Sequence, residues 1–327
     1  MKILIIRFSS IGDIVLTTPV IRCLKQQLDA EIHFLTKKNF EKIVASNPHI
    51  DRVFTIDKDI SEVIKPLKSM DYDFIIDLHK NFRTFQLKWI LGVKSFSFNK
   101  LNIEKWLMVN CKINWLPNTH IVDRYLKTVM HLGVVNDGKG LDYFIPTEDE
   151  IDISLRFNLT QSAENLPPQY VALVIGAAHA TKRLPTDKII NICNGIKLPI
   201  ILLGGKEDME RGALIRSQST SYVIDTCGIL NLNQSASVVK QAWKVVTHDT
   251  GLMHIAAAFG KDIISIWGNT IPEFGMTPYL PTADSDMIEV FNLSCRPCSK
   301  IGFDACPKGH FKCMEMIDTE GVIKLLN

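Results

Sequence analysis

Short apolar and β-branched runs recur along the chain, and each is followed by a turn and a helical pattern. Continuous apolar runs such as residues 200–203 are typical of strands buried on both faces of a parallel sheet. Strands that alternate with helices predict right-handed βαβ crossovers and doubly wound sheets. We predict nine strands, at residues 3–8, 31–36, 52–56, 73–78, 170–175, 200–204, 222–225, 245–248 and 263–267.

The rhythm of strands and helices fails over residues 142–168. The segment 145–150 and the later Leu166-Pro167-Pro168 supply charged and turn-forming residues there. The length of 327 residues suits two domains of ordinary size. We therefore predict an N-terminal domain at 1–150 and a C-terminal domain at 151–327, with a ligand cleft at the carboxyl ends of their strands. Two such halves suggest the GT-B architecture, although periplasmic binding proteins and some dehydrogenases also have them.

The composition is that of a soluble globular protein, with 46% hydrophobic and 22% charged residues. The apolar stretch before Arg7 has only four residues, which is too short for a signal peptide. No segment approaches the roughly 20 apolar residues that span a bilayer. We predict a cytoplasmic protein whose cysteines are mostly reduced.

The net charge of +2 hides an asymmetry between the two halves. Residues 1–140 have 21 Lys and Arg against 14 Asp and Glu, whereas residues 141–327 have 16 against 21. Seven bases and one acid lie between residues 80 and 112, interleaved with Phe82, Phe85, Trp89 and Trp106. This pattern indicates an acidic partner for the first half or, alternatively, a solvated helical face.

The loop after the first strand, Ser9-Ser10-Ile11-Gly12-Asp13, is the first candidate site. Small polar residues and Gly12 let backbone N–H groups approach a ligand closely. Asp13 could take the proton from an acceptor hydroxyl as a general base, or it could only cap a helix that begins near Ile14. The spacing G-x-G-x-x-G is absent, which argues against a dehydrogenase.

A second candidate follows the strand at 245–248. Asp249, Thr250 and Gly251 lead into a helix that ends near Gly260, and a helix amino end attracts a diphosphate. His254, about one turn further on, could reach the same phosphate or could be a structural residue. The alternative for the whole motif is an ordinary helix cap.

Two more loops end strands in the second half. In residues 176–185, Lys182 or Arg183 supplies positive charge for a leaving diphosphate. The turn Gly204-Gly205 is followed by Glu207 and Asp208, whose carboxylates suit ribose hydroxyls. The alternative is a set of ordinary turns, because each signal is weak by itself.

These motifs occur in an order that resembles the ADP-heptose:lipopolysaccharide heptosyltransferases, glycosyltransferase family 9. The resemblance covers nearly the whole chain, from the Gly-Asp opening to the Asp-Thr-Gly-x-x-His element at 249–254. It implies two Rossmann-like domains and an inverting, metal-independent transfer of heptose from an ADP-sugar to a lipopolysaccharide core hydroxyl. Leu184 departs from the family, which often has an aromatic residue before the proline at this place.

The resemblance also implies roles for individual residues. Asp13 would be the base, Lys182 would neutralise the diphosphate, and Glu207 would hold donor hydroxyls unless Asp208 does so. The acceptor is implied to be a lipid-linked acidic saccharide, and no cofactor is required. Our hypothesis is that the basic stretch at 80–112, with its aromatic residues, makes a peripheral contact with the inner membrane. Donor phosphates would bind at Asp249, Thr250, Gly251 and His254, and the acceptor side would include Ser10, Gly12, Lys80 and Arg83.

A cysteine-rich segment near the C-terminus has the spacing of a zinc cluster. Its five candidate ligands are Cys295, Cys298, Cys306, His310 and Cys313. A structural zinc, reduced thiols that stabilise a loop, and a redox-labile pair are all compatible with it. No catalytic metal is expected. The scattered Cys23, Cys111, Cys193 and Cys227 are interpreted as buried small hydrophobes.

Three rival functions deserve comparison with a heptosyltransferase. A protein that binds a sugar nucleotide without turnover would not need Asp13, and a transferase of another nucleotide sugar would share the phosphate-binding turns. A zinc-ribbon nucleic-acid protein is disfavoured because the bases lie in the N-terminal half and the clustered cysteines lie near the C-terminus. We therefore predict no nucleic-acid partner.

Overall fold

The computed structural model describes residues 1–159 and 169–327. Leu166-Pro167-Pro168, which contributed to the predicted domain boundary, lies outside the described residues. The described chain divides into two compact units. The first comprises Met1–Leu101 and Asn118–Phe144, and the second comprises Asn102–Pro117 and Ile145–Asn327.

A five-stranded parallel sheet forms the centre of the first unit. Its strands are β1 (Lys2–Ile6), β2 (Glu31–Lys37), β3 (Arg52–Ile56), β4 (Phe74–Asp77) and β5 (Ser95–Ser97). Their order is β3-β2-β1-β4-β5. The chain fills one half of the sheet and then crosses to the other, so the strand order reverses between β1 and β4. Open α/β sheets bind ligands at the carboxyl ends of strands at such a switch point.

Helices follow the strands of the first unit as the sequence pattern predicts. Leu87 on the last of these helices packs against Leu4 and Ile6 of β1, so the sheet face is covered by apolar side chains. The helices are α1 (Ile11–Val15), α2 (Thr18–Leu28), α3 (Glu41–Val44), α4 (Ser61–Lys68) and α5 (Phe82–Leu91).

The segment Asn102–Pro117 leaves the first unit and belongs to the second. In this segment, the ammonium group of Lys112 donates a hydrogen bond to the carbonyl oxygen of Pro297 at 2.6 Å. The basic stretch between residues 80 and 112 is therefore divided between the two units. The helices of this part of the chain are α6 (Asn102–Asn110), α7 (Ile121–Leu126), which lies in the first unit, and α8 (Ile153–Phe157).

A six-stranded parallel sheet forms the centre of the second unit, in the order β11-β10-β9-β6-β7-β8. The order reverses between β6 and β9, which makes the carboxyl ends of these two strands the switch point of this sheet. The strands are β6 (Val171–Val174), β7 (Ile200–Leu203), β8 (Val223–Asp225), β9 (Lys244–His248), β10 (Asp262–Trp267) and β11 (Asp286–Glu289).

Both faces of the second sheet are buried. Ile200 and Leu202 of β7 belong to one apolar core, whereas Ile201 and Leu203 belong to the core on the opposite face. The covering helices are α9 (Thr186–Gly195), α10 (Met209–Gln218), α11 (Leu232–Gln241), α12 (Gly251–Ala258), α13 (Lys312–Glu315) and α14 (Thr319–Lys324).

Single 3-10 turns occur in both units, at Lys38–Phe40, Met130–Leu132, Thr147–Asp149, Ala180–Lys182, Lys206–Asp208 and Pro272–Phe274.

All nine predicted strands are confirmed, and the doubly wound parallel arrangement is confirmed in both units. The prediction missed β5 and β11. Both are edge strands of three or four half-exposed residues, so neither produces a continuous apolar run. Among the residues that the model describes, no helix has the length and apolar character needed to cross a bilayer.

Candidate active site

The loop after β1 holds Asp13 at the carboxyl edge of the first sheet. Arg7 Nη2 lies 2.7 Å from Asp13 Oδ1, and Ser10 donates its hydroxyl to Oδ2 at 2.8 Å. The helix begins at Ile11, three residues before the predicted start near Ile14, so Asp13 lies in its first turn and accepts the Ser10 N–H. Because 22% of the Asp13 side chain stays exposed, its capping role leaves the carboxylate accessible to a ligand.

Arg7 holds the Asp13 carboxylate in place through its ion pair. Its guanidinium is buried and donates to the carbonyl oxygens of Leu78 and Ser9, at 2.6 and 2.7 Å, and to the Tyr125 hydroxyl at 2.9 Å. Burial opposes the charged form, but Tyr125 and Asp13 outweigh it and raise the pKa of Arg7. A permanently charged, fully bonded guanidinium therefore balances the charge of Asp13 and sets its orientation.

The four residues assigned to the acceptor side lie around the same sheet edge. Ser10 is exposed and Gly12 is buried in α1, while Lys80 and Arg83 are exposed in the loop after β4 and in the first turn of α5. The Leu78 N–H donates to the Ile6 carbonyl at 3.1 Å, which makes the loops after β1 and β4 neighbours. Their contact with an acceptor stays a prediction.

Lys88 is not available to an outside anion. Its ammonium lies 2.8 Å from the fully buried carboxylate of Asp77 and donates to the Ser97 hydroxyl. The other oxygen of Asp77 accepts the N–H groups of His79 and Lys80, at 3.1 and 2.7 Å. Lys88 thus neutralises a buried acid that shapes the loop after β4. Its charge is therefore not available to a partner, unlike those of exposed bases in the stretch between residues 80 and 112.

The two switch-point strands of the second unit bring Lys182 and Asp249 together. Lys182 follows β6 and Asp249 follows β9, and the Lys182 Nζ lies 2.6 Å from Asp249 Oδ2. The same carboxylate oxygen accepts the Thr270 hydroxyl at 3.0 Å. Arg183, the other candidate cation, donates twice to the carbonyl oxygen of Ala177, at 2.8 and 2.6 Å, and so closes its own loop. Lys182 is therefore the cation held at this edge.

The amino end of α12 begins two residues after Asp249. Thr250 precedes the helix in an extended conformation and Gly251 is its first residue. Within the described residues, the Thr250 side chain makes no hydrogen bond that caps α12; its hydroxyl lies 3.3 Å from that of Thr247. The first-turn N–H groups of this helix are thus not satisfied by the Thr250 side chain, as an anion site requires.

Two histidines of this region are buried. His254 is 2% exposed on α12, and its contact with a phosphate stays a prediction. His248, at the end of β9, accepts the Leu184 N–H on Nε2 at 3.0 Å and so ties the Lys182 loop to β9. Burial, with a contribution from Arg211, lowers the pKa of His248 to about 3. The imidazole is therefore neutral and structural.

This lowered pKa makes the stability of the protein sensitive to acid. An unfolded histidine has a pKa near 6.5, so between that pH and about 3 the unfolded chain takes up a proton that folded His248 does not. Stability falls as the pH falls, by at most about 1.4 kcal/mol per pH unit from this residue. His248→Gln keeps an acceptor near the position of Nε2. This variant should reduce the pH dependence of the free energy of unfolding between pH 7 and 5. Identical pH slopes for the two proteins would contradict this assignment.

The structure separates the roles of Glu207 and Asp208. Asp208 is 1% exposed, accepts the Gly205 N–H at 3.0 Å and lies 3.4 Å from Arg183. A Cβ atom at Gly176 would lie 2.3 Å from its Oδ2, so Asp208 fills the space that this glycine leaves. Glu207 is exposed at the carboxyl edge of β7. The geometry favours Glu207 for donor hydroxyls, and that role stays a prediction.

The cysteine-rich segment holds the loop after β10 in place. Arg296 donates to the carbonyl oxygens of Gly268 and Thr270, the second at 2.9 Å, and its Nη1 lies 2.6 Å from Glu289 Oε2. Thr270 is the residue whose hydroxyl donates to Asp249. Arg296 therefore determines where a member of the Lys182 and Asp249 cluster lies, which no sequence motif indicated.

The same segment holds the loop after β6. Phe303 exchanges hydrogen bonds with Thr181, the residue before Lys182: its N–H donates to the Thr181 hydroxyl at 2.8 Å and its carbonyl accepts the Thr181 N–H at 3.1 Å. The residues around the cysteines thus form a scaffold beneath two site loops.

A matched pair of variants tests this scaffold. Arg296→Ala removes a cation whose side chain is 6% exposed and leaves Glu289 unpaired, so we expect the free energy of unfolding to fall by about 3–5 kcal/mol. Lys240→Ala removes a largely exposed pair with Glu150 and should cost less than about 1 kcal/mol. Urea unfolding measures both changes. Equal, small losses would show that Arg296 does not support this part of the fold.

The five candidate zinc ligands do not form a metal-binding group in this structure. Cys295 Sγ lies 3.8 Å from His310 Nε2, and the Cys298 thiol donates to the Cys295 carbonyl oxygen. Burial raises the pKa of the Cys298 and Cys313 thiols to about 11. In the described part of the chain, no three His, Cys, Asp or Glu side chains are arranged to hold a metal ion. The zinc hypothesis stays a prediction that this geometry does not support.

Three of the four scattered cysteines are buried as predicted, namely Cys23, Cys193 and Cys227. The prediction was wrong for Cys111, which is exposed. Cys111 directly follows α6, a helix on which no residue is fully buried.

Solved structures confirm the class of fold. A glycosyltransferase of family 9 from Veillonella parvula superimposes with a TM-score of 0.79 at 22% identity, over 99% of this chain and 97% of the other. The structure of Escherichia coli ADP-heptose lps heptosyltransferase II gives 0.73 at 19% identity, over 100% and 98%. The protein therefore has the predicted GT-B fold of two Rossmann-like α/β units.

Sequence comparison then assigns the family. The model of glycosyltransferase family 9 (heptosyltransferase) matches residues 60–305. Lipopolysaccharide heptosyltransferase 1 of Campylobacter coli is 25% identical over 83% of this chain and 84% of its own length. Lipooligosaccharide heptosyltransferase 2 of Haemophilus ducreyi is 24% identical over 100% and 99%. The chain belongs to glycosyltransferase family 9 and is a glycosyltransferase.

Proposed function

We propose that this enzyme transfers heptose from ADP-heptose to a hydroxyl group of a lipopolysaccharide core. The names of the relatives support the sugar and the acceptor class. The observation that carries the proposal is the pairing of Lys182 with Asp249 directly before the amino end of α12. A cation beside uncapped helix N–H groups is a binding site for a diphosphate.

On the donor side, the diphosphate of ADP-heptose binds the first-turn N–H groups of α12, including that of Gly251. Lys182 neutralises the charge that develops as the diphosphate leaves, and Asp249 holds the Lys182 ammonium in place. Glu207 accepts hydrogen bonds from donor hydroxyls. Backbone N–H groups and one ammonium provide this stabilisation, so the proposed reaction requires no metal ion.

On the acceptor side, Asp13 is the general base. The acceptor oxygen bonds to the anomeric carbon of heptose while its proton passes to the Asp13 carboxylate. The bond between the anomeric carbon and the diphosphate oxygen breaks, and ADP departs with the electron pair. Attack from the face opposite the leaving group inverts the anomeric configuration. Arg7 keeps the carboxylate oriented throughout this step.

The acceptor in this proposal is a lipid-linked, acidic saccharide. Lys80 lies in the loop that neighbours the Asp13 loop, and Arg83 lies in the first turn of α5. Both are exposed cations that suit phosphate or carboxylate groups of such a saccharide. A lipid-linked acceptor would bring the enzyme to the cytoplasmic face of the inner membrane as a peripheral protein.

A panel of nucleotide sugars tests the proposed reaction. The enzyme is incubated with each donor, with and without a heptose-accepting core saccharide, in the presence of EDTA, and free nucleoside diphosphate is measured. We expect acceptor-dependent release of ADP from ADP-heptose, unaffected by EDTA. Turnover with a different nucleotide sugar, and none with ADP-heptose, would show that ADP-heptose is not the donor. Tight binding of ADP-heptose without turnover on any acceptor would favour a sugar-nucleotide-binding protein.

A further inference from the structure

Helix α5 presents three large aromatic side chains to solvent. Phe82, Phe85 and Trp89 are 73%, 62% and 79% exposed. Their spacing of three and four residues places them on one face of the helix. The opposite face is anchored, because Leu87 is buried in the core and Lys88 pairs with buried Asp77. The aromatic residues therefore form a fixed surface, which we call the α5 aromatic face.

The chain around the α5 aromatic face is basic in sequence, and Asp59 is the acid that interacts electrostatically with Arg83 from a neighbouring loop. Between Asp77 and Glu104 the chain contains five Lys and Arg residues and no acid. Lys88 is occupied by Asp77, but Lys80 and Arg83, on either side of Phe82, are exposed. Exposed aromatic groups flanked by cations match an anionic surface in both polarity and charge.

The α5 aromatic face begins at the sheet edge that carries Asp13. The loop between β4 and α5 neighbours the loop after β1, and the rings of His79 and Phe8 pack with their centroids 5.0 Å apart. In a βα unit the first helical turn lies nearest the carboxyl edge of the sheet, so Phe82 and Phe85 are closer to that edge than Trp89. A surface that contacts this face would present its substituents beside Asp13.

We propose that the α5 aromatic face docks on an anionic phospholipid bilayer. The aromatic rings enter the headgroup region, where Trp and Phe side chains are favourable, while the net positive charge of residues 80–100 attracts the anionic headgroups and Lys80 and Arg83 stay available to the acceptor saccharide. A protein partner is disfavoured because the stretch between Asp77 and Glu104 combines these exposed aromatic groups with five Lys and Arg residues and no acid. The inference rests on the proposed function, since a lipid-linked acceptor explains why docking occurs at the Asp13 edge.

Vesicle binding tests the proposal. The full-length enzyme is sedimented with vesicles of phosphatidylethanolamine and phosphatidylglycerol, and with vesicles of phosphatidylcholine alone. We expect binding to the anionic vesicles, and a decrease of about ten-fold or more in the partition coefficient for Phe82→Ser/Phe85→Ser/Trp89→Ser. The control Leu155→Ser/Met287→Ser/Phe291→Ser removes three exposed apolar side chains, 79%, 52% and 71% exposed, from the second unit and should bind as the wild type does.

The opposite results would overturn the proposal. They are a wild-type enzyme that does not bind anionic vesicles, or a triple α5 variant that binds them undiminished. Loss of self-association in the variant by analytical ultracentrifugation, without vesicle binding by the wild type, would assign the face to a second copy of the chain.

A comparison of two acceptors separates docking from catalysis. With an acyl-free core saccharide in solution, the triple variant should keep the kcat/KM of the wild type. With the same saccharide on a lipid in anionic vesicles, its kcat/KM should fall with the partition coefficient. If the wild type transfers no heptose to either acceptor, the proposed function fails while the vesicle-binding result still stands.

Discussion

Asp13→Asn is expected to lower kcat by about 10²- to 10⁴-fold, because the amide cannot take the acceptor proton. The affinity for ADP should stay nearly unchanged, because the residues that we propose for donor binding belong to the second unit. The amide has one acceptor oxygen, so it can keep either the Ser10 hydroxyl bond, which measures 2.8 Å in the wild type, or the contact with Arg7, and it loses the other. Steady-state transfer rates and ADP titration calorimetry measure the two effects.

Ser10→Ala is the matched control for this variant. It removes the hydroxyl donor to Asp13 Oδ2 but keeps the carboxylate and its ion pair with Arg7. We expect a decrease in kcat of no more than about ten-fold, in line with one lost hydrogen bond. If Asp13→Asn retains wild-type turnover, or if Ser10→Ala is equally inactive, Asp13 is not the base.

Lys182→Ala should lower kcat by about 10²- to 10³-fold, the usual loss when one preorganised group that stabilises developing charge is removed. It should also weaken ADP binding, because the ground-state diphosphate already carries negative charge and Asp249 would then face it without a cation. Transfer rates and calorimetry with ADP provide both values.

Two further lysine variants serve as controls for Lys182→Ala. Lys182→Arg keeps the positive charge and should retain only part of the activity, since the longer, planar guanidinium would shift the charge from the position where the ammonium contacts Asp249 at 2.6 Å. Lys197→Ala removes an exposed lysine of the same unit and should leave both kcat and ADP affinity unchanged. Unchanged ADP binding and turnover in Lys182→Ala would exclude Lys182 from the donor site.

The fold could be predicted from the sequence because its buried strands leave a strong signal. Strands such as β7, in which every residue is buried, appear as continuous apolar runs between turns. Domain membership was less predictable. The segment Asn102–Pro117 joins the second unit through contacts such as that of Lys112 with Pro297, which lies 185 residues away. No local pattern reports a contact of that separation.

The candidate site was predictable only where it depends on local loops. The segments around Asp13, Lys182 and Asp249 all follow strands, as the sequence pattern predicted. The contact between Lys182 and Asp249 was not predicted and appears only in the structure. Residues that act through distant contacts were missed. Tyr125 belongs to no recognisable motif. Its hydroxyl accepts a hydrogen bond from Arg7, which lies 118 residues away in the sequence.

Arg296 and Lys88 show the same limit from two directions. Arg296 lies inside the cysteine-rich segment, where only the cysteines and a histidine were given a role, and its guanidinium holds the backbone of Gly268 and Thr270. Lys88 looked like a surface base, but it neutralises buried Asp77. Charge counts cannot reveal such pairings, because the partner is defined only after the sheet has formed.

A crystal structure of the enzyme with ADP tests the central claim most directly. The account predicts diphosphate oxygens within about 3 Å of the Gly251 N–H nitrogen and of the Lys182 ammonium, at the amino end of α12. A diphosphate bound to the first unit, or bound in the second unit away from α12 and Lys182, would contradict it.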